Sequence, residues 1–245
     1  ILGLMPITAG EIHYRGQDIT SLSPGEFRPL RREIQMIFQD LDAALNPKMR
    51  IESILREAIG LCEPELDADG LRRRTYELLE LVNLKKNKLA NFPSELSGGE
   101  KRRIGIARVL AVRPKLIVAD EPTSALDVSI QAQVINLLRD LQSQFGLSYL
   151  FISHDLPLVE LVSHRVAVMY LGQIVELGAA PRIANAPRHP YTSVLWSSLA
   201  EKRSREAVTG PAPAWGVFDF ERPSGGCRFA PRCPVYAARG KPAAC

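Results

Sequence analysis

Cysteine and long apolar runs are both scarce in this chain. Only 4 of the 245 residues are cysteines, and they lack a regular short spacing. This argues against a disulfide framework and favours a reducing cytoplasm. No stretch reaches the 18 or more apolar residues of a membrane span, and no signal peptide pattern is present. We therefore expect attachment to a membrane to depend on a partner protein.

A strong excess of one charge is also missing. The formal net charge is +4, and the basic groups at residues 31–32, 72–74 and 101–103 are separated by apolar or acidic neighbours. Such groups are typical of solvated helix faces, so nucleic-acid binding is not expected. The hydrophobic share of 46% over 245 residues predicts one domain with a sizeable core and an appendage.

Residues 96–100 (Leu-Ser-Gly-Gly-Glu) form a polar, glycine-rich turn that should open a helix. Ser97 is the expected N-cap, and Gly98 and Gly99 would let a phosphate approach the backbone closely. The first N–H groups of a helix lack intrahelical partners, and the helix dipole adds positive potential. The turn therefore predicts a phosphate site.

Residues 116–121 (Leu-Ile-Val-Ala-Asp-Glu) predict a buried strand that ends in two adjacent carboxylates. Open α/β sheets bind ligands at the carboxyl ends of their strands. Alone, Asp120 and Glu121 fit a solvated turn or an N-cap equally well. With the glycine-rich turn before them and His154 after them, they predict a Mg²⁺ ligand at Asp120 and a general base at Glu121.

Together these two segments resemble the signature motif and the Walker B strand of the ATP-binding subunits of ATP-binding cassette (ABC) transporters. The resemblance implies an α/β fold of the P-loop NTPase (RecA-like) type with an inserted helical subdomain, ATP and Mg²⁺ as ligands, and ATP hydrolysis. It also implies a dimer in which Ser97, Gly98, Gly99 and Glu100 serve the partner's nucleotide.

Three further segments fit the order of motifs in this family. Residues 39–47, here called the Q-loop, begin with Gln39, which the resemblance places at Mg²⁺ and the attacking water, while the rest of the loop meets the membrane subunit. Residues 124–127 resemble the D-loop at the dimer interface, although Asp127 also fits an N-cap. His154 follows a predicted strand and resembles the switch histidine at the γ-phosphate, where a neutral imidazole donates one hydrogen bond.

The Gly-x-x-x-x-Gly-Lys-Ser/Thr phosphate loop (Walker A) of this family does not occur in the sequence. Residues 1–12 resemble the end of the helix that follows that loop, then a turn and a strand. We therefore expect the sequence to begin inside the ATPase core, N-terminally truncated. As given, it should show no measurable ATP hydrolysis and weak nucleotide binding.

Periodicity and turn signals predict the organisation of the chain. A strand at residues 11–15 should turn at 16–18, and the apolar runs 116–119, 149–152 and 166–170 should lie in one parallel sheet. A helix between the first two runs predicts a right-handed crossover. The predicted segments are the remaining core and antiparallel β subdomain (1–39), the helical subdomain (40–112), the RecA-like core (113–178) and an extension (179–245).

Residues 188–192 (Arg-His-Pro-Tyr-Thr) resemble the extension of ATPases from dipeptide, oligopeptide and nickel importers. This branch implies a peripheral protein at the cytoplasmic face of the inner membrane that powers solute import, with di- or oligopeptides as the expected solutes. Its partners would be transmembrane permease subunits, a second ATPase subunit and, indirectly, an extracytoplasmic solute-binding protein. The alternatives are a soluble ABC protein acting on ribosomes or DNA, and a degenerate cassette that does not hydrolyse ATP.

Three cysteines, Cys227, Cys233 and Cys245, follow a segment rich in proline and glycine. They resemble a cysteine segment that holds an iron–sulfur cluster in some members of this branch. Such a cluster normally needs four thiolates, and Cys62 lies far away in the predicted helical subdomain. Free thiols are therefore the main expectation, and a cluster is the alternative.

Overall fold

The computed structural model describes residues 1–203 and 226–239. The chain divides into two compact units, Ile1–Ser153 and His154–Cys245, which we describe separately. Within the described ranges, no helix is long and apolar enough to cross a bilayer. The finer division into four segments stays a prediction.

In the described part of the chain, the first unit combines five strands with seven α-helices. Its strands are β1 (His13–Tyr14), β2 (Gln17–Asp18), β3 (Ile34–Ile37), β4 (Leu116–Asp120) and β5 (Ser148–Ile152). Its helices are α1 (Pro24–Phe27), α2 (Leu30–Glu33), α3 (Leu41–Ala44), α4 (Ile51–Gly60), α5 (Ala68–Leu81), α6 (Gly98–Ala111) and α7 (Val128–Phe145).

A three-stranded parallel sheet in the order β3-β4-β5 forms the centre of this unit. Ile37 of β3 pairs with Ala119 of β4, and Ala119 pairs with Phe151 of β5, so the three carboxyl ends lie at the same edge. Helix α7 connects β4 to β5, as the crossover prediction requires. Residues that follow β3 and β4 are therefore brought together.

Helices α4 to α7 pack around one apolar core with this sheet. In α4 the buried side chains recur at helical spacing and form one face: Ile51, Ile54, Leu55, Ala58 and Ile59. Helix α6 is buried on most of its circumference because it contacts α4, α5, α7 and β3. Its position makes α6 the shared support of the loops around the sheet edge.

The N-terminal hairpin differs slightly from its prediction. Strand β1 is shorter than the predicted strand 11–15, and β2 occupies residues 17–18, which were predicted in the turn. The turn falls at Arg15 and Gly16, whose φ angles are 52° and 82°. Two consecutive positive φ angles match the twist of a two-residue hairpin turn. The turn therefore begins one residue earlier than the position of Gly16 suggested.

The second unit, in its described part, contains an antiparallel hairpin and four α-helices. Its strands are β6 (Arg165–Tyr170) and β7 (Gln173–Ala179), and its helices are α8 (Leu156–Val162), α9 (Ala180–Asn185), α10 (Pro190–Arg203) and α11 (Pro234–Ala238).

The prediction that residues 166–170 belong to the parallel sheet is wrong. Strand β6 pairs only with β7 among the described residues, and its side chains alternate between exposed and buried. The link between the strands is Leu171 and Gly172, with φ angles of 47° and 77°. So short a turn joins antiparallel neighbours, whereas parallel strands need a long crossover.

Candidate functional site

The signature turn, residues 96–100, opens α6 with a reciprocal cap. The Glu100 N–H donates to Ser97 Oγ (3.3 Å), and the Ser97 N–H donates to Glu100 Oε2 (3.0 Å). This is the capping-box arrangement, and it confirms Ser97 as the N-cap. Lys88 Nζ lies 2.8 Å from Glu100 Oε1. The Lys88 and Ser97 hydrogen bonds lower the pKa of Glu100, so this carboxylate is engaged within its own chain.

The two glycines of the turn have different surroundings. A Cβ atom on Gly98 would lie 3.5 Å from Leu126 Cδ2, an ordinary contact, and Gly98 is exposed. A Cβ atom on Gly99 would lie 2.8 Å from Ile130 Cγ2 of α7, which is too close. Because Ile130 is β-branched and stiff at χ1, packing alone requires glycine at position 99. Of the two glycines, only Gly98 is exposed and has no packing reason to be glycine, so the close approach of a phosphate is the role left to it.

Gln39 and Glu121 meet at the carboxyl edge of the sheet. Gln39 lies two residues beyond β3, Glu121 directly follows β4, and Gln39 Nε2 donates to Glu121 Oε2 at 3.0 Å. The parallel register of β3 and β4 explains why residues so distant in sequence come together. The structure thus joins the residue predicted to position water with the residue predicted to be the base.

The backbone after β4 is held in an unusual conformation. Glu121 and Ala125 have φ angles of 42° and 59°, which non-glycine residues rarely adopt. The Glu121 N–H donates to the Ile152 carbonyl of β5 (3.0 Å), while the Ser124 N–H (3.1 Å) and Oγ (3.0 Å) donate to the Glu121 carbonyl. Strain of this kind costs about 1–3 kcal/mol per residue and persists only where the surroundings enforce it.

The remaining predicted residues lie as follows. Asp120 is the last residue of β4, half-buried and paired with Ile152. Asp127 occupies the N-cap position of α7, but its side chain makes no capping hydrogen bond with that helix. Its exposed carboxylate is therefore not explained by capping. His154 is exposed and is the first residue of the second unit, so its predicted contact stays a prediction.

The donor set at this edge fits Mg²⁺. Asp120 and Glu121 offer carboxylate oxygens and Gln39 offers an amide oxygen, and all three are hard ligands of the type that this ion prefers. Among the described residues, no group of three or more His, Cys, Asp or Glu side chains is arranged to hold a metal. Mg²⁺ does not require such a cage, because it usually keeps several waters and binds one or two carboxylates.

Arg102 is a residue that the sequence analysis misjudged. Residues 101–103 were expected on a solvated face, yet Arg102 is only 5% exposed. Its Nη1 donates to the carbonyls of Phe38 (2.9 Å) and Gln39 (3.3 Å), and its Nη2 to the carbonyl of Ser124 (3.4 Å). Burial lowers its pKa. Its helical spacing from Ile106 and Val109, both buried, was the available signal.

The predicted importer-type extension packs on the hairpin of the second unit. Glu176 of β7 accepts the N–H groups of Arg188 and His189 (3.0 Å each) and a hydrogen bond from Arg182 Nη1 (2.9 Å). Tyr191 packs against Tyr170 with ring centroids 4.7 Å apart and the ring planes tilted by 58°. The segment His-Pro-Tyr therefore forms the start of α10 and fixes that helix to β7 and β6.

The cysteines of this unit do not fit a four-thiolate cluster. Cys227 Sγ lies 3.5 Å from His189 Nε2, and Cys233 is buried and caps α11 by accepting the Tyr236 N–H at 3.4 Å. Cys245 lies outside the described residues, and Cys62 belongs to the first unit. We therefore derive no step through an iron–sulfur centre.

Comparison with known proteins matches both parts of the chain. Residues 1–124 match the family model described as "ABC transporter", and residues 175–239 match "Oligopeptide/dipeptide transporter, C-terminal region". The chain is 50% identical over 196 residues to the dipeptide transport ATP-binding protein DppF of Lactococcus lactis subsp. cremoris, covering 79% of this chain and 62% of that protein. It is 43% identical over 242 residues to the oligopeptide transport ATP-binding protein OppF of Escherichia coli K12, covering 96% of this chain and 71% of that protein.

Solved structures show the same fold. The ATP-binding cassette MJ0796, in a dimeric post-hydrolysis state bound to ADP and Pi, is 26% identical with a TM-score of 0.63, covering 71% of this chain and 74% of that one. CbiO1 of Clostridium perfringens, part of the transporter complex cbiONQ, is 24% identical with a TM-score of 0.67, covering 82% of this chain and 79% of that one. The P-loop NTPase fold predicted from the motifs is confirmed, and the chain belongs to the family of ABC transporter ATP-binding proteins.

Proposed function

We propose that this chain is the ATP-hydrolysing subunit of an ABC importer for di- or oligopeptides. The observation that carries the ATPase part is the 3.0 Å hydrogen bond from Gln39 to Glu121, at the sheet edge where Asp120 also ends its strand. The peptide part rests on the match of residues 175–239 and on the names of the relatives. The chain spans 62% of the length of the Lactococcus relative, so the activity of the whole protein is part of the proposal.

The residues at the sheet edge have separate roles in the proposed phosphoryl transfer to water. Mg²⁺, when bound, neutralises phosphate charge and orients the phosphoryl oxygens. Asp120 supplies a carboxylate to hold that ion, and Glu121 takes the proton of the attacking water. Gln39 orients the Glu121 carboxylate through its amide N–H. His154 would contact the γ-phosphate.

The signature turn would act on the nucleotide of a second ATPase subunit. The exposed Ser97 and Gly98 at the start of α6 support this role, because the N–H groups of a helix start attract anions. The permease subunits would contact the Q-loop and hold the protein at the cytoplasmic face of the membrane. The relatives are transport proteins, and this favours import over action on ribosomes or DNA.

The direct test is Glu121→Gln in the full-length protein assembled with its partners. The amide keeps the size of the side chain but cannot accept the proton, so hydrolysis should fall about 10²–10⁴-fold while nucleotide binding is retained. Glu65→Gln is the matched control, since Glu65 is exposed on the same unit. Wild-type turnover in Glu121→Gln would remove Glu121 from the role of base.

A further inference from the structure

A single buried guanidinium connects the two loops that flank the proposed catalytic edge. Arg102 Nη1 donates to the Phe38 and Gln39 carbonyls, at the start of the Q-loop. Arg102 Nη2 donates to the carbonyl of Ser124, the first residue of the D-loop. Its backbone belongs to α6, directly behind the signature turn. One side chain thus joins three motifs.

The C-terminal end of α3, the helix within the Q-loop, is also hydrogen-bonded to α6. Arg108, also on α6, donates from Nη1 to the Ala44 carbonyl, the last residue of α3. The segment from Phe38 to Ala44 is therefore held at both ends by guanidinium groups of α6. A shift of α6 would move this segment as a whole, including the hydrogen bond from Gln39 to Glu121.

The connection at Arg102 depends on the planar guanidinium group, which carries two separate Nη donors. Its two Nη atoms reach carbonyls on two separate loops, which the single ammonium of lysine does not match in geometry. Its Nε is buried and has no hydrogen-bond partner in the described part of the chain. A buried N–H without a partner carries a cost, so the placement is set by the two Nη atoms and the loops they hold.

We propose that Arg102 is a positioning residue for hydrolysis, which fixes the Q-loop and the D-loop to the signature helix and thereby aligns Gln39 with Glu121. This inference rests on the proposed ATPase function. It predicts a loss in the chemical step, since a small misplacement of positioned groups lowers turnover strongly. Nucleotide affinity should change little, because Arg102 itself is buried away from solvent.

The kinetic test uses the full-length protein in its assembled transporter. Arg102→Met should lower kcat for MgATP by about 10- to 100-fold with KM within about 3-fold of wild type. Arg102→Lys keeps a charge and three donors on one nitrogen, so it should recover part of the loss. Arg103→Met is the matched control: Arg103 neighbours Arg102 and also donates to two backbone carbonyls, those of Val82 and Asn83, but these lie outside the catalytic loops.

A second measurement needs no nucleotide. Amide hydrogen exchange should accelerate in residues 38–44 and 122–126 together in Arg102→Met, and in neither segment in Arg103→Met. Wild-type kcat in Arg102→Met, an equal loss in Arg103→Met, or acceleration in only one segment would overturn the proposal. If the wild-type protein fails to hydrolyse ATP, the proposed function is wrong, and the exchange result still decides whether Arg102 holds both loops.

Discussion

At the residue scale, the two glycines of the signature turn serve different purposes. Gly98 is exposed and has room for a methyl group, whereas Gly99 is closed in by Ile130 of α7. The motif predicts the same role for both glycines, because the contact with Ile130 depends on how α6 and α7 pack. Helical spacing can indicate that Arg102 is buried, but neither its three carbonyl partners nor the Ile130 contact can be read from local periodicity.

Alanine substitutions should separate the two roles. We expect Gly99→Ala to lower the free energy of unfolding by about 1–3 kcal/mol, since the added Cβ overlaps Ile130. Gly98→Ala should leave stability within about 0.5 kcal/mol but reduce hydrolysis in the assembled dimer. Urea unfolding and an ATPase assay measure the two effects. Adding Ile130→Ala to Gly99→Ala should recover stability, and a failure to do so would show that this contact is not the cause.

Alanine substitutions at two helix-terminal glycines, Gly146 and Gly60, should change the stability of the protein in opposite directions. Gly146 has a φ angle of 64° and ends α7, while Gly60 is the last residue of α4 and has no positive φ. Both have open space around them. Gly146→Ala should destabilise the protein by about 1–2 kcal/mol through left-handed strain, whereas Gly60→Ala should be neutral or stabilise it by up to about 1 kcal/mol. Thermal unfolding of the two variants checks the signs.

At the element scale, Glu176 joins β7 to the start of α10. Burial by itself would raise the pKa of Glu176, but the hydrogen bonds from His189, Arg188 and Arg182 outweigh it and lower the pKa to about 2. The ordinary value is 4.5. A carboxyl with a lowered pKa stabilises the folded state above its unfolded pKa, and this contribution is lost as the pH falls.

The second unit should therefore lose stability between a pH of about 4.5 and a pH of about 2. The loss should be on the order of 3 kcal/mol at most. Glu176→Gln should flatten this part of the stability profile, measured by denaturant unfolding at several pH values. Arg182→Met removes one donor and should give an intermediate profile. An unchanged profile in Glu176→Gln would place the acid sensitivity elsewhere.

Periodicity predicted helices better than strand partners. The buried face of α4 could be read directly, since five apolar residues repeat at helical spacing. In α7 the apolar spacing continues from Leu141 to Phe145, yet Phe145 is 45% exposed, so periodicity alone overstates the buried face of this helix. Strand β6 was assigned to the wrong sheet, because an apolar run shows that a strand is partly buried but not which strand lies beside it. The positive φ angles at Leu171 and Gly172 decide that partner, and only the glycine hints at them in the sequence.

At the scale of the whole molecule, the motifs predicted the family and the edge of the sheet where they meet. They did not predict the second compact unit, which begins at His154, because the division depends on contacts spread over many residues. The proposed contact with a permease can be tested directly.

We expect the full-length protein to co-purify with a polytopic membrane protein and to lose coupling when the Q-loop surface is altered. Ala43→Arg places a bulky charge on the exposed side of α3 and should reduce transport while hydrolysis continues. Ala132→Arg, at an exposed position of α7, is the matched control. Recovery with ribosomes and without any membrane protein would favour the soluble alternative.

In the proposed dimer, helix α6 would also limit how independent the two bound nucleotides can be. Ser97 at its start and Arg102 in its second turn are separated by about 7.5 Å along the helix axis. Suppose that nucleotide binding at the signature turn favours one arrangement of the Q-loop and D-loop by some factor. Thermodynamic linkage then requires that this arrangement changes the affinity of the turn for nucleotide by the same factor. A substitution that loosens Arg102 should therefore weaken the coupling measured from either subunit, and the two halves of the dimer would begin to behave as separate enzymes.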